Sequence, residues 1–290
     1  MIKTVALLVG GWSPERQVSL DKGKAVEKAL IDGGYDVRVI DVSRDINDFI
    51  SQLTPRPDVV FNNIYGKGGE DGLIQGVLEM MQIPYTHSGV MSSALGMDKE
   101  ITKIVASSLG VSVAETLKFP YTAPYVLKPI DEGSSVDITI VMEGDNFQPD
   151  VTKKGMIVER YIPGRELTCA VLDGKAQAVS EIISHTKFFD YEAKYEDDRT
   201  ETILPANIPQ DAYDQAMGWS EKIFDALGCQ GIARCDYRYD EGGAGLVFLE
   251  INTQPGFTPE SIGPSQVVYN GMSFVELCSH LVETACVKNK

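Results

Sequence analysis

Asp236, Glu250 and Asn252 carry the side-chain oxygens that a divalent cation prefers, and they lie on two neighbouring predicted strands. Glu250 and Asn252 are two residues apart, so both side chains lie on the same face of their strand. Magnesium is usually held by a few carboxylates together with water and substrate phosphates. The alternative is a hairpin with solvated acidic residues. The apolar residues 246–249 favour a buried Glu250 and therefore the metal site.

Residues 66–72 form a glycine-rich segment that leads into a predicted helix and could bind an anion. Glycines expose backbone N–H groups, and the N-terminus of a helix attracts negative charge. The alternative is a tight connection between a strand and a helix, because glycine-rich loops alone are weak signals. The segment is not a Walker A loop, since it lacks Gly-Lys-Ser/Thr.

Lys128 is a second candidate for phosphate binding, because a lysine that follows the apolar residues 125–127 needs an anionic partner. Residues 132–135, Glu-Gly-Ser-Ser, follow closely and could cover a phosphate. Taken alone, the pattern favours a lysine whose stem packs on an edge strand while its ammonium reaches solvent.

The elements around these residues change character along the chain. The first ninety residues alternate between predicted strands and helices, with strands at 5–9, 37–42, 59–61 and 83–85 and helices at 18–31 and 73–81. This alternation predicts a parallel sheet covered by helices. Ligands bind such sheets at the C-terminal ends of the strands, where segments 10–19 and 65–72 lie.

The remainder predicts an α+β arrangement with antiparallel sheet. Predicted strands lie at 125–128, 138–142, 156–161, 232–239 and 246–251, and predicted helices at 99–109, 213–227 and 273–286. Residues 167–182 predict a hairpin that turns at Asp173-Gly174. Residues 184–202 are polar and aperiodic, and long loops of this kind often cover a site as lids.

Composition excludes several functional classes. The 290 residues include 26 Lys and Arg against 42 Asp and Glu, a formal net charge of −16. Such a surface repels a phosphate backbone, so we expect no nucleic-acid partner. No run approaches the ~18 apolar residues of a membrane span, and the apolar residues 5–9 are too few for a signal peptide. We therefore expect a cytoplasmic protein without a membrane partner, whose five cysteines are reduced thiols.

Taken in order, these segments resemble the D-alanine–D-alanine ligase family of the ATP-grasp superfamily. The resemblance runs essentially from end to end, and it is specific because the motifs occur in the family's order. The matching segments are GGWSPERQVS (10–19), GGEDG (68–72), MDK (97–99), KP (128–129), GSS (133–135), 159–166, YEAKY (191–195), RCD (234–236) and EINTQPGFT (250–258).

The resemblance implies that ATP is a substrate and assigns residues to it. Lys99 and Lys128 are expected to hold ATP phosphates, and Lys194 is expected to reach the transferred phosphoryl group. Glu159 is expected to face the adenine, and Glu166 to bind the ribose hydroxyls. Two Mg²⁺ (or Mn²⁺) ions are expected at the metal site already predicted from the residues.

The resemblance also implies residues for two molecules of D-alanine. Glu15 is expected to hold the ammonium of the first D-alanine, and Ser261 the carboxylate of the second. Arg234 and the backbone N–H of Gly256 are expected to stabilise the oxyanion.

A set of lid contacts completes the expected site. Ser134 and Tyr195 are expected to form a hydrogen-bonded trio with Glu15 that closes the lid. The chain departs from the family pattern at three positions, where the family commonly has histidine, glycine and methionine and this chain has Tyr65, Asp137 and Phe257. These departures bear on substrate affinity, because none of them removes an expected phosphate or metal ligand.

The implied fold combines α/β and α+β parts in three units. A Rossmann-like N-terminal substrate domain is expected over 1–96, a central ATP-grasp subdomain over 97–164, and a C-terminal ATP-grasp subdomain over 165–290 with a lid loop at 184–202. A homodimer that makes D-alanyl-D-alanine for peptidoglycan is implied. Two alternatives stay open, a ligase that uses D-lactate or D-serine as acceptor and a catalytically inactive binding protein of the same fold.

Overall fold

Three separate β-sheets organise the part of the chain that this computed structural model describes, residues 2–133, 137–147, 149–150, 154–183 and 201–288. The first sheet is parallel, and the other two are antiparallel. This mixed α/β arrangement agrees with the change of character that the sequence predicts.

The N-terminal part forms the parallel sheet, with strand order β2-β1-β3. Its elements are β1 (Thr4–Gly10), α1 (Arg16–Asp32), β2 (Asp36–Val42), α2 (Ile46–Gln52), β3 (Val59–Asn62) and α3 (Leu73–Met80). β1 lies at the centre and is buried along almost its whole length. Central parallel strands are covered on both faces, which explains its continuous apolar run.

The middle part pairs two helices with a small antiparallel sheet of order β5-β4-β6. Its elements are α4 (Val90–Met97), α5 (Lys99–Ser108), β4 (Tyr125–Pro129), β5 (Thr139–Val141) and β6 (Met156–Arg160). Asp98 separates the two helices and caps α5, because its carboxylate accepts the backbone N–H of Ile101 at 2.9 Å.

The C-terminal part contains the largest sheet, with order β11-β10-β7-β8-β9. Its elements are β7 (Arg165–Leu172), β8 (Lys175–Ile183), β9 (Glu201–Ile203), α6 (Gln210–Ala226), β10 (Ile232–Asp240), β11 (Gly245–Asn252), α7 (Ile262–Tyr269) and α8 (Phe274–Thr284). The predicted turn at Asp173-Gly174 is confirmed, since both residues have positive φ, 47° and 80°. Helix α8 begins at a capping box formed by Ser273 and Glu276.

The C-terminal helix shares a core with the N-terminal sheet. Leu277 and Leu281 of α8 belong to the same buried cluster as Leu7 of β1 and Leu30 of α1. The first and last parts of the chain are therefore held together by apolar packing, and this positions residues after β11 next to α1.

Several elements differ from the sequence-based predictions. Helices α2, α4 and α7 were not predicted. Residues 83–85 do not form a strand, because only Tyr85 makes isolated bridges, to Val60 and Cys286. Glu201 and Thr202, predicted as the end of the loop 184–202, belong to β9, because their backbones pair with the edge of β8. The rest of that loop, 184–200, lies outside the described residues.

None of the helices within the described ranges is both long enough and apolar enough to span a membrane. All five cysteines carry free thiols, and each is buried except Cys286.

Gln266 links α7 to the large sheet at an irregularity. The pairing of β7 with β8 shifts between Cys169 and Val171, which leaves Ala170 without a partner on β8. The Gln266 amide oxygen accepts the Ala170 N–H at 2.6 Å, and its nitrogen donates to the Thr168 carbonyl at 3.0 Å. The fully buried Gln266 side chain thus supplies the hydrogen bonds that β8 does not make at Ala170.

We expect Gln266→Leu to destabilise the fold, because it leaves two buried backbone groups without partners. The free energy of unfolding should fall by about 2–4 kcal/mol, since each unsatisfied buried group costs about 1–3 kcal/mol. Urea unfolding followed by circular dichroism measures this loss. Gln210→Leu, at an exposed glutamine on α6, is the control and should change stability by less than about 0.5 kcal/mol. Equal stability of both variants would show that Gln266 does not support the sheet.

Candidate functional site

Asp236 lies at the centre of a polar row that crosses three strands of the large sheet. Thr168 of β7 and Glu250 of β11 are its direct cross-strand partners. Thr168 donates its hydroxyl to Asp236 Oδ1 at 2.6 Å, and Asn252 Nδ2 donates to Oδ2 at 3.0 Å. Arg234, two residues earlier on the same face, donates to both carboxylate oxygens at 2.8 and 2.7 Å. The structure therefore places Asp236 next to Glu250 and Asn252.

The donor set of this row fits a hard divalent cation. Asp236 and Glu250 supply carboxylate oxygens, and Asn252 supplies an amide oxygen, since its bond to Asp236 uses the amide nitrogen. Within the described residues, no group of three or more His, Cys, Asp or Glu is arranged to hold a metal ion. A cation here would accordingly rely on the asparagine and on ligands from a bound substrate.

A small cleft opens to solvent beside this row. Its lining comes from all three parts of the chain, namely Glu70, Gly96, Met97, Lys99, Glu132, Gly133, Glu250, Ile251, Asn252 and Thr253. Lys99, at the start of α5, donates its ammonium to the Glu132 carbonyl at 2.6 Å and lies 3.4 Å from Glu250 Oε2. The cleft thus brings a buried lysine next to two of the predicted metal ligands.

The glycine-rich segment 66–72 contributes Glu70 to the lining of the cleft. Gly68 and Gly72 both have φ near 94°, a conformation that other residues rarely adopt, and Gly72 directly precedes α3. Lys67 forms ion pairs with Asp131 (3.2 Å) and Glu132 (2.6 Å), which join this segment to the loop after β4.

Glu70 introduces an unusual carboxyl group into the cleft. Burial raises the pKa of Glu70 well above its usual range, and the nearby carboxylates of Glu15 and Glu250 raise it further. Acidic groups so close together repel one another, so the cleft favours cationic ligand groups or metal ions.

A buried cluster of two lysines and one glutamate lies under the β4–β6 sheet. Glu159 Oε1 accepts the Lys103 ammonium at 2.5 Å, and Oε2 lies 2.8 Å from the Lys128 ammonium. Lys103 also donates to Thr116 Oγ1 at 3.0 Å. Burial alone would raise the pKa of Glu159, but the two ammonium groups outweigh burial and hold the pKa below its usual value. The structure therefore pairs two residues, Lys128 and Glu159, that the resemblance assigned to different ends of ATP.

Glu166 lies on the same large sheet, where Arg238 is its cross-strand partner on β10. The Arg238 guanidinium lies 3.6 Å from Glu166 Oε2, and both side chains are partly exposed. Glu166 can therefore accept further hydrogen bonds from a ligand hydroxyl.

Glu15 and Ser261, which the resemblance assigns to the amino-acid substrates, lie before α1 and before α7. Glu15 is buried just before α1, next to Gly66 and Gly133. Ser261 begins α7, but its hydroxyl does not cap that helix; it accepts the Thr258 N–H at 3.0 Å instead. Gly256 lies close to Ser261, since a Cβ atom added to Gly256 would be 3.6 Å from Ser261 Oγ.

Two residues near Gly256 were missed by sequence reasoning. Lys22 of α1 has its ammonium beside Gly256 and over the Tyr65 ring. Tyr65, considered only as a departure from the family pattern, accepts the Phe257 N–H on its hydroxyl at 3.1 Å. The sequence contained one signal, because Lys22 lies three residues after the buried Ser19, on the inner side of α1.

Three assigned residues, Ser134, Lys194 and Tyr195, lie outside the described residues together with the remainder of the predicted lid. Their roles stay predictions. Asp137 is described and has φ of 57°, which explains why glycine is common there and why aspartate, which tolerates this conformation, can replace it.

We expect Glu159→Gln to destabilise the protein strongly, because it leaves two buried ammonium groups facing a neutral amide. The loss in free energy of unfolding should be about 3–5 kcal/mol near neutral pH. The pKa of Glu159 is lower in the folded state than its unfolded value of 4.5, so its contribution is present above pH 4.5 and is lost as pH falls below it. Denaturant unfolding at several pH values should show the difference between variant and wild type shrinking in acid.

Glu115→Gln provides the control for this substitution. Glu115 pairs with Arg160, directly after Glu159 on β6, but both side chains are more than half exposed. Its loss should cost less than about 1 kcal/mol. If both variants lost the same free energy of unfolding, the charges of Glu159, Lys103 and Lys128 would not depend on one another for stability.

Comparison with known proteins shows which proteins this chain is similar to. A family model described as D-ala D-ala ligase C-terminus matches residues 98–283. A D-alanine--D-alanine ligase of Gluconobacter oxydans is 46% identical over 301 aligned positions, which cover 98% of this chain and 99% of that protein. The crystal structure of the D-alanine--D-alanine ligase from Bacillus anthracis complexed with ATP matches with a TM-score of 0.80 at 29% identity, covering 98% and 97% of the two chains. That of the VanG D-Ala:D-Ser ligase from Enterococcus faecalis matches with a TM-score of 0.79 at 29% identity, covering 98% and 99%.

Proposed function

The chain belongs to the D-alanine–D-alanine ligase family, and on that basis we propose that it joins two molecules of D-alanine into D-alanyl-D-alanine for peptidoglycan synthesis. It is an ATP-dependent carboxylate–amine ligase with an ATP-grasp fold. The observation that supports the proposal is the cleft that Lys99, Glu250 and Asn252 line together with Glu70 of the glycine-rich segment.

The chemistry of ligation explains these residue types. A carboxylate is too poor an electrophile for an amine, so the γ-phosphoryl group of ATP first converts the donor carboxylate into an acyl phosphate. Phosphoryl transfer depends on positioning and charge neutralisation, which lysines and arginines provide. The acceptor amine then attacks, and the oxyanion that forms needs fixed hydrogen-bond donors. Water must be excluded, because the acyl phosphate hydrolyses readily.

We assign the nucleotide to the side of the cleft next to α5. Lys99 and Lys128 are proposed to bind the ATP phosphates, with Lys194 at the transferred phosphoryl group. Glu159 is proposed to face the adenine, and Glu166 the ribose hydroxyls. Lys128 is paired with Glu159 at 2.8 Å, so phosphate binding by Lys128 would exchange one anionic partner for another.

We assign Mg²⁺ or Mn²⁺ to Asp236, Glu250 and Asn252. The metal would neutralise phosphate charge next to the transferred group. Before binding, Arg234 balances the charge of Asp236 and Lys99 that of Glu250.

We assign the amino-acid substrates to the side of the cleft next to α1. Glu15 is proposed to hold the first D-alanine, and Ser261 the second. Arg234 and the Gly256 N–H would stabilise the oxyanion. Arg234 already lies at the predicted metal ligand Asp236, so it can bridge the two halves of the reaction.

Ser134 and Tyr195 are proposed to close the site with Glu15. The three proposed units are a Rossmann-like substrate domain (1–96), a central ATP-grasp subdomain (97–164) and a C-terminal ATP-grasp subdomain (165–290) with a lid at 184–200. We further propose a cytoplasmic homodimer without nucleic-acid or membrane partners.

We expect ADP and phosphate to form only when D-alanine and Mg²⁺ are both present. The measurement is a phosphate-release assay with D-alanine, L-alanine, D-serine and D-lactate, with the products identified by mass spectrometry. D-alanyl-D-alanine should be the main product. Equal turnover with L-alanine would contradict the proposal. No turnover with any substrate would favour the alternative of a catalytically inactive binding protein.

We expect Asp236→Asn and Glu250→Gln to abolish ligation while leaving the protein folded, because each removes anionic charge from the proposed metal site. Rates should be measured over a range of Mg²⁺ concentrations, with circular dichroism to check folding. Asp240→Asn at the other end of the same hairpin is the control, since an amide can still accept the Ala244 N–H. If both site variants ligated at the wild-type rate in millimolar Mg²⁺, the metal would have to bind at another site.

A further inference from the structure

Lys22 is a cation next to Gly256 to which none of the assigned roles gives a function. It lies in α1, is half-buried, and its ammonium is 5.7 Å from the centre of the Tyr65 ring. A Cβ atom added to Gly256 would lie 2.6 Å from Lys22 Nζ and 3.6 Å from Ser261 Oγ. The ammonium and the Ser261 hydroxyl are therefore neighbours on one side of Gly256.

The charges around Lys22 are mixed. Glu15 and Glu70 favour its ammonium form, while Arg234 opposes it. Burial lowers the pKa of Lys22 to about 8, and the repulsion from Arg234 contributes to this shift. Lys22 is partly shielded from water and lies near the Arg234 cation. An anion that binds between these two side chains would therefore stabilise both positive charges.

Tyr65 holds this lysine and Gly256 in one arrangement. Its ring lies under the ammonium at a distance suited to a cation–π contact. Its hydroxyl accepts the Phe257 N–H at 3.1 Å and donates to Asn63 Oδ1 at 2.8 Å. The backbone at 256–257 is thereby fixed against the N-terminal sheet, next to Lys22.

We propose that the Lys22 ammonium binds the carboxylate of the acceptor D-alanine, together with Ser261, and so selects an acceptor that carries a negative charge. This inference rests on the proposed function. Glu15 would attract the ammonium of the donor, while Lys22 would attract the carboxylate of the acceptor. The two opposite charges would keep the two zwitterionic substrates in different orientations on either side of the reacting carbonyl.

A cycle of two changes tests the contact. Lys22→Met removes the charge and keeps most of the stem, and D-alaninamide is an acceptor without a carboxylate. In wild type, D-alaninamide should have a kcat/KM about 10- to 100-fold below that of D-alanine, the size expected for a charged hydrogen bond. Lys22→Met should lose a similar factor with D-alanine as acceptor and little with D-alaninamide. The KM for ATP should stay unchanged.

Lys22→Arg is the matched control. It retains the charge and should recover most of the acceptor kcat/KM that Lys22→Met loses. Wild type should lose acceptor kcat/KM as pH rises through about 8, where the Lys22 ammonium deprotonates. Lys22→Arg should lack that decline, because arginine stays charged, and it faces the same Glu15, Glu70 and Arg234.

The outcomes separate the inference from the function it rests on. Equal losses for Lys22→Met with both acceptors would show that Lys22 only supports the fold, and would overturn the inference. Failure of Lys22→Arg to recover activity, combined with an unchanged pH profile, would overturn it as well. Absence of D-alanine-dependent ADP formation in wild type would overturn the proposed function itself, and the inference with it.

Discussion

The ion pair between Arg234 and Asp236 is the interaction on which the rest of the site depends. It lies inside the large sheet, where a carboxylate without a partner would cost several kcal/mol. Thr168 and Asn252 supply the remaining hydrogen bonds from the two flanking strands. Three strands must therefore be in register before the charge is satisfied, so the position of the proposed metal site is specified by the sheet itself.

The same constraint recurs at the three buried lysines of the described residues, because each of them has an internal partner. Lys128 and Lys103 share Glu159, and Lys99 contacts Glu132 and Glu250. Binding of ATP phosphates or of a metal ion would exchange these partners for ligand atoms. With such an exchange, no buried charge is left without a partner in the free or in the bound protein. The free energy of binding is then the difference between the internal contacts and the ligand contacts.

The sequence predicts the sheets well, because hydrophobic periodicity reports burial directly. The continuous apolar run of β1 correctly predicted a strand of the parallel sheet. The Asp173-Gly174 turn correctly predicted an antiparallel hairpin. Short helices such as α4 and α7 were missed, since one or two turns leave too little periodicity. The row through Asp236 was predictable, because a spacing of two residues on a strand fixes the face. The position of Lys22 was not predictable, because its contact with Gly256 joins α1 to the loop after β11, which lie far apart in the chain.

The departures from the family pattern at Tyr65 and Phe257 form one physical unit with that contact. The Tyr65 hydroxyl binds the Phe257 backbone, while the Phe257 ring packs between Phe61 and Phe274. A tyrosine at position 65 extends farther than most residues that could replace it, and its ring gives Lys22 a surface to lie against. Because Gly256 precedes the anchored Phe257, the geometry of the proposed oxyanion donor is set by the same contacts that place the lysine. Changes at 65 and 257 therefore cannot be interpreted separately, because both residues hold the backbone at 256–257 next to Lys22.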